Sequence, residues 1–182
     1  MKPWKRIEPT ELTYKGWRTV ITKHFVRHDG SIVSVETSDP EGLEAAAVIA
    51  LTPENKVVIA RQFRGGPEKI FDELPGGAVD QGETPEAAAI RELAEETAYN
   101  VGSIQYLGKV YKHAYLNMTW HYFLATDCVP MGTPQKLDEL EEIEVDTISI
   151  TQLYDNARNA RMTDSEAVFL AYELLQERMK LI

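Results

Sequence analysis

Two apolar blocks, Ala45–Leu51 and Lys56–Ala60, follow one another across the turn Pro53-Glu54-Asn55. Each is strand-sized and apolar on both faces, so the pair reads as a hairpin of buried strands. Upstream, Trp17, Val20, Ile21 and Phe25 alternate loosely with polar residues, which predicts a strand over Gly16–Val26. Asp29-Gly30 and the run Ser31–Glu36 supply a turn and a returning strand. Downstream, Phe71–Leu74, Ile104–Tyr111, Thr119–Thr126 and Glu144–Ile150 read as further strands. A helix is expected from Pro85 to Ala98, with Thr84 as cap, Pro85 at the first helical position and Glu86 at the positive end of the dipole. Two more cover Thr151–Asn159 and Asp164–Met179, the second with a stripe of Val168, Leu170, Ala171, Leu174 and Leu175. Strands mixed with helices in one compact unit imply an α/β or α+β fold.

Composition narrows the setting. The 182 residues carry 43% hydrophobic and 26% charged side chains, as a globular domain does. No apolar run reaches the ~20 residues of a membrane helix, so no membrane association is expected. The basic N-terminus has no apolar stretch behind it and is not read as a secretory signal. Cys128 is the one cysteine, which fits a cytoplasmic location, and it reads as a packing residue. A formal net charge of −10 argues against a polynucleotide partner but leaves room for a small phosphorylated substrate.

The chemistry concentrates in Gly76–Tyr99. On the expected helix, Ile90, Leu93, Ala94 and Thr97 fall on one side, and Glu92, Glu95 and Glu96 cluster on the other. Three adjacent carboxylates repel, unless a hard divalent cation reverses the sign by taking their oxygens. A solvated acidic face is the plainer reading of such a run. Against it stands a glycine-rich loop with its own acids, Asp80 and Glu83, leading directly into the capped helix. The Gly76 carbonyl can add an oxygen ligand. Arg91 can pair with Glu83 and pin the loop to the helix, or form an ordinary surface salt bridge.

The spaced set Gly77-x5-Glu83-x7-Arg91-Glu92-Leu93-x-Glu95-Glu96 resembles the Nudix box. The family usually has glycine at the position of Ala98 and an aliphatic residue at that of Tyr99. The resemblance implies a Nudix-type mixed β-sheet sandwiched between helices. It also implies a metal site of Glu92, Glu96 and the Gly76 carbonyl, completed by Glu95, with Mg²⁺ or Mn²⁺ as cofactor.

Val57–Arg64 followed by Glu73-Leu74-Pro75-Gly76-Gly77 is similar to the branch that hydrolyses ADP-ribose and other nucleoside diphosphate sugars. Alanine is usual there at position 76. By that resemblance Arg64 contacts the substrate phosphates or terminal ribose, and Arg61 and Glu73 join the substrate-binding candidates. The acidic run Asp138–Val145 matches a loop in which a glutamate orients the attacking water. That places the role on Glu141, with Glu139 second. His113–Met118 departs from the branch's usual segment, and Tyr115 and Asn117 are candidates to contact the distal sugar, packing and loop capping being their plainer roles.

The branch also implies an N-terminal antiparallel β segment, here 1–38, that serves dimerisation and base binding, beside a hydrolase domain over 39–182. Trp4 and Trp17 are the stacking candidates. The expected protein is thus a homodimer with shared active sites acting on a nucleotide sugar. The alternatives are hydrolysis of a dinucleoside polyphosphate, NADH or a triphosphate, and a noncatalytic nucleotide-sugar-binding module.

Overall fold

In the computed structural model the described residues are 1–16, 18–39 and 41–180. Trp17, one of the two stacking candidates, lies outside them. The chain divides into two compact units, one of residues 1–44 with 111–119 and one of residues 45–110 with the chain from 120 onward.

The larger unit is organised by β4 (Glu44–Ala50), whose residues from Ala45 on are essentially inaccessible. Because side chains alternate across a strand, its two faces feed two cores. Ala47 and Ile49 pack with Ile59 of β5 (Lys56–Arg64), Tyr122 and Leu124 of β10 (Thr119–Thr126), and three C-terminal helices. These are α2 (Ile150–Arg158), α3 (Ser165–Leu170) and α4 (Tyr172–Met179). Ala46, Val48 and Ala50 pack with Phe123 and Ala125 against Ala88, Ala89 and Leu93 of α1 (Pro85–Thr97). Sheet between helices is therefore the architecture, an α+β fold of the expected class.

The strands divide among several ladders. One has the order β7-β4-β10-β9, with β7 at Gly76–Ala78 and β9 at Ser103–Val110. Another has the order β12-β5-β6, with β12 at Ile143–Ser149 and β6 at Lys69–Glu73. The expected hairpin of β4 and β5 is therefore not formed: the two strands belong to different ladders, linked by one isolated bridge between Leu51 and Val57. A run apolar on both faces gives no signal of its partner, and that left the pairing open to misreading. The short strands β8 (Tyr99–Asn100) and β11 (Val129–Pro130) pair with each other. The long helix expected over Asp164–Met179 is broken at Ala171 into α3 and α4, although the stripe residues Val168, Ala171 and Leu175 are buried as expected.

In the smaller unit, β1 (Lys5–Lys15), β2 (Thr19–Val26) and β3 (Ile32–Ser38) form an antiparallel sheet. The first strand had no sequence signal, because its residues are largely polar and Pro9 interrupts them. Residues 111–119 belong to this unit through Asn117, whose amide nitrogen donates to Thr37 Oγ1 at 2.9 Å and the Asp39 carbonyl at 2.6 Å. Its carbonyl oxygen accepts from Lys23 Nζ at 2.6 Å. Asn117 is thus a staple holding its loop to the sheet.

Candidate active site

Helix α1 starts as its sequence dictates, with Thr84 Oγ1 accepting from the Ala87 amide at 3.2 Å and Pro85 in the first turn. Its inward stripe differs from the expected one. Ala88, Ala89, Leu93, Glu96 and Thr97 are buried, whereas Ile90 is exposed. The consequence is chemical: a glutamate sits in the core-facing row. Glu96 is only 3% exposed, and its Oε2 accepts from the Gly76 amide at 2.9 Å.

Arg91 fixes the loop that precedes the helix. Its Nε and Nη2 grip both oxygens of Glu83 at 3.0 Å, and Nη2 also donates to the Ala78 carbonyl at 2.9 Å. Nη1 reaches Glu92 at 2.8 Å and Glu95 at 3.1 Å. Every nitrogen of this guanidinium is committed to the protein. Hydrogen bonding to Glu83 first, then to Glu92 and Glu95, raises the Arg91 pKa, and the same fork lowers that of Glu83.

Glycines make the close approach possible. A Cβ at Gly77 would lie 2.6 Å from Glu92 Cδ, so the absent side chain is the space the carboxylate fills. At Gly76 a Cβ would meet the Ala46 carbonyl oxygen at 2.5 Å and Ala47 Cα at 2.7 Å. Here β7 lies too close to β4 for a side chain at position 76 unless the backbone shifts.

The loop between β11 and β12 is zipped along the C-terminal end of α1. The Met131 amide donates to the Ala98 carbonyl at 2.8 Å and the Lys136 amide to the Glu95 carbonyl at 2.9 Å. Gln135 Nε2 donates to the Glu96 carbonyl. These bonds carry Lys136, Asp138 and Glu141 to a cleft of about 380 Å³, which Ala78, Asp80, Arg91, Glu92 and Glu95 also line. Glu141 is oriented by its own turn, Oε2 accepting from the Asp138 amide at 2.9 Å. Glu139 is exposed and is not among the lining residues.

The electrostatics are those of crowded carboxylates. Burial pushes the Glu96 carboxyl up to about 8, opposed by the Gly76 N–H, reinforced by Glu92 and Glu141, and opposed again by Arg64. Burial also raises Glu92, against the pull of Arg91 and with added repulsion from Glu95 and Glu141. Among the described residues, no three acidic, histidine or cysteine side chains stand as a ready-made metal cage. A full cage is not what Mg²⁺ requires, since it keeps several waters and uses one or two carboxylates with substrate phosphates. Hard oxygens held together at an energetic cost fit such a cation.

Arg64, at the end of β5, grips the buried Glu73: its Nε donates to Oε2 at 2.6 Å, and Nη2 lies 2.5 Å from the same oxygen. The other Glu73 oxygen accepts from Thr163 Oγ1 at 2.6 Å. Glu73 is 1% exposed with both oxygens engaged, so it orients Arg64 from beneath. Arg61 is committed to Asp72 at 2.7 Å and also to Glu144 and Asp146 across the β12-β5-β6 ladder. In the smaller unit Trp4 is partly exposed, with the Arg27 guanidinium 5.2 Å over its ring, and Tyr115 is exposed beside His113.

Sequence reasoning passed over Lys136 and Asp138. Their signal was present: Lys136 is the one cation between Val129 and Val145, amid an acidic run.

Residues 42–170 match the NUDIX domain family. An ADP-ribose pyrophosphatase of Bacillus subtilis is 30% identical over 138 residues, covering 75% of each chain. A methanol dehydrogenase activator of Bacillus methanolicus is 32% identical over 160 residues, covering 87% of this chain and 79% of the relative. Among solved structures, a protein described as an ADP compounds hydrolase superposes with a TM-score of 0.78 at 22% identity, covering 98% of both chains.

Proposed function

The chain belongs to the Nudix hydrolase family, and from that membership we propose that it hydrolyses the pyrophosphate of nucleoside diphosphate sugars, ADP-ribose or another ADP-sugar first among them. The observation that carries the reading is the cleft lined by Glu92, Glu95 and Glu141, two of which, Glu92 and Glu141, also repel the buried Glu96 carboxylate. The pyrophosphatase relative supports the substrate class, and the solved ADP compounds hydrolase supports the fold it needs.

We assign Glu92, Glu96 and the Gly76 carbonyl to a divalent cation, Mg²⁺ or Mn²⁺, with Glu95 completing the acidic set. When bound, such a cation neutralises phosphate oxygens and lowers the pKa of the attacking water. Glu141 orients that water and accepts its proton as the new P–O bond forms. Arg64, held by Glu73, anchors the diphosphate through its free guanidinium face. The bridging P–O bond breaks, and the products are a nucleoside monophosphate and a sugar phosphate. Residues 1–38 are assigned to dimerisation and base binding in a cytoplasmic homodimer, with Trp4 as the stacking residue. Light scattering showing an active monomer would remove that part of the proposal.

The test is product analysis after incubating the protein and Mg²⁺ with ADP-ribose, ADP-glucose, GDP-mannose, diadenosine polyphosphates, NADH and nucleoside triphosphates. Monophosphate released from the sugars ahead of the rest is the expected result. Faster cleavage of triphosphates or dinucleotides would overturn the substrate class.

A further inference from the structure

The cleft is lined by five carboxylates, Asp80, Glu92, Glu95, Asp138 and Glu141, against two cations, Arg91 and Lys136. A doubly charged diphosphate entering this space meets strong repulsion unless positive charge is there to receive it. Arg91 cannot do so, since its three nitrogens are spent on Glu83, Glu92, Glu95 and the Ala78 carbonyl. Lys136 differs. It is exposed, and among the described residues its ammonium makes no salt bridge and no hydrogen bond, despite the acids around it. Its main chain, by contrast, is fixed, the amide donating to the Glu95 carbonyl at 2.9 Å. Gln135 beside it is tied to the carbonyls of Glu96 and Ile143. The backbone at 136 is thus rigidly placed at the wall of the cleft while the charged end stays free to turn.

We propose that Lys136 is a substrate-binding residue, its ammonium closing on a non-bridging phosphate oxygen of the diphosphate. This rests on the pyrophosphatase reading given above and adds to it the residue that meets the phosphate from the loop side. Lysine suits the task, because a compact point charge on a flexible stem can follow a phosphate oxygen as the substrate seats. The contact forms only when substrate enters, so it costs the empty protein nothing in order.

The experiment compares K136M and K136R with the wild-type protein. The loop is pinned by the amide of residue 136 and by Gln135, not by the ammonium, so both variants keep the loop and the fold. Affinity is measured by calorimetry with the non-hydrolysable methylene-bridged analogue of ADP-ribose in the presence of Mg²⁺, and KM and kcat with ADP-ribose. K136M is expected to weaken analogue binding and raise KM about tenfold or more, as lost hydrogen bonds to charged groups do. Its binding should also depend less on salt than that of the wild type. K136R should recover most of the affinity. Wild-type turnover with unchanged affinity, KM and salt dependence in K136M overturns the assignment of Lys136 alone. Failure of the wild type to cleave any nucleoside diphosphate sugar overturns the reading beneath it.

Discussion

The carboxylate of Glu92 occupies the space that a side chain at Gly77 would need, a Cβ there lying 2.6 Å from Glu92 Cδ. Gly77 in the loop and Glu92 on the helix are therefore one device: the loop must be bare for the acid to stand against it.

Gly77→Ala should leave the fold intact, because the end of a flexible side chain can move aside. The displaced carboxylate is expected to cost on the order of 10²-fold in kcat/KM, the scale of a ~1 Å misplacement at a reacting centre. Circular dichroism unchanged with activity retained would refute the coupling.

Glu96 links pH to stability. Its folded pKa is raised to about 8 from 4.5, so between those values the folded protein holds a proton that the unfolded chain releases. The stability it contributes is complete below pH 4.5 and is lost as pH rises through 8. In chelator, Glu96→Gln should match the wild-type melting temperature near pH 5 and exceed it by several degrees near pH 8.5. The same variant should lose most of its turnover. Parallel melting curves at both pH values would contradict the assigned burial cost.

Ala98 caps α1 in the left-handed conformation, at φ 56° and ψ 38°. A Cβ is strained there and glycine is not. Ala98→Gly should stabilise the protein by ~1 kcal/mol, raising its Tm by ~2–4 °C with kcat unchanged. Thermal denaturation that finds a loss instead would show that chain entropy outweighs the relieved strain.

Arg64→Ala strands the buried Glu73, whose carboxylate then keeps, among the described residues, the bond from Thr163. The expected loss is about 2 kcal/mol, below the ~3–5 typical of a broken buried pair because Arg64 is half exposed. Adding Glu73→Gln should restore much of that stability and none of the activity. Recovery of activity in the double variant would mean that Arg64 acts only as a structural partner.

Much of the site was legible along the chain because it is local. Glu83, Arg91, Glu92, Glu95 and Glu96 lie within 14 residues, and helical geometry alone brings the last four together. The N-terminal cap of α1 and the apolar strands were legible for the same reason, since propensity and alternation act over a few residues. Which acid is buried was not. Glu92, Glu95 and Glu96 look equivalent on a helical projection, and it is Glu96 that is buried and takes the Gly76 amide of β7. Neither the partner of β4 nor the place of Lys136 could be read from local pattern. Strand pairing is decided by which two faces exclude water together, and Lys136 is brought to the cleft by its amide's bond to the Glu95 carbonyl, far from it along the chain. The sequence by itself determined the residue types, their helical spacing and the chemistry they can perform. Only the tertiary structure decided which carboxylate loses its water, which arginine is already spent and which cation is left to meet a substrate, because desolvation and charge pairing depend on neighbours that the chain brings together only by folding.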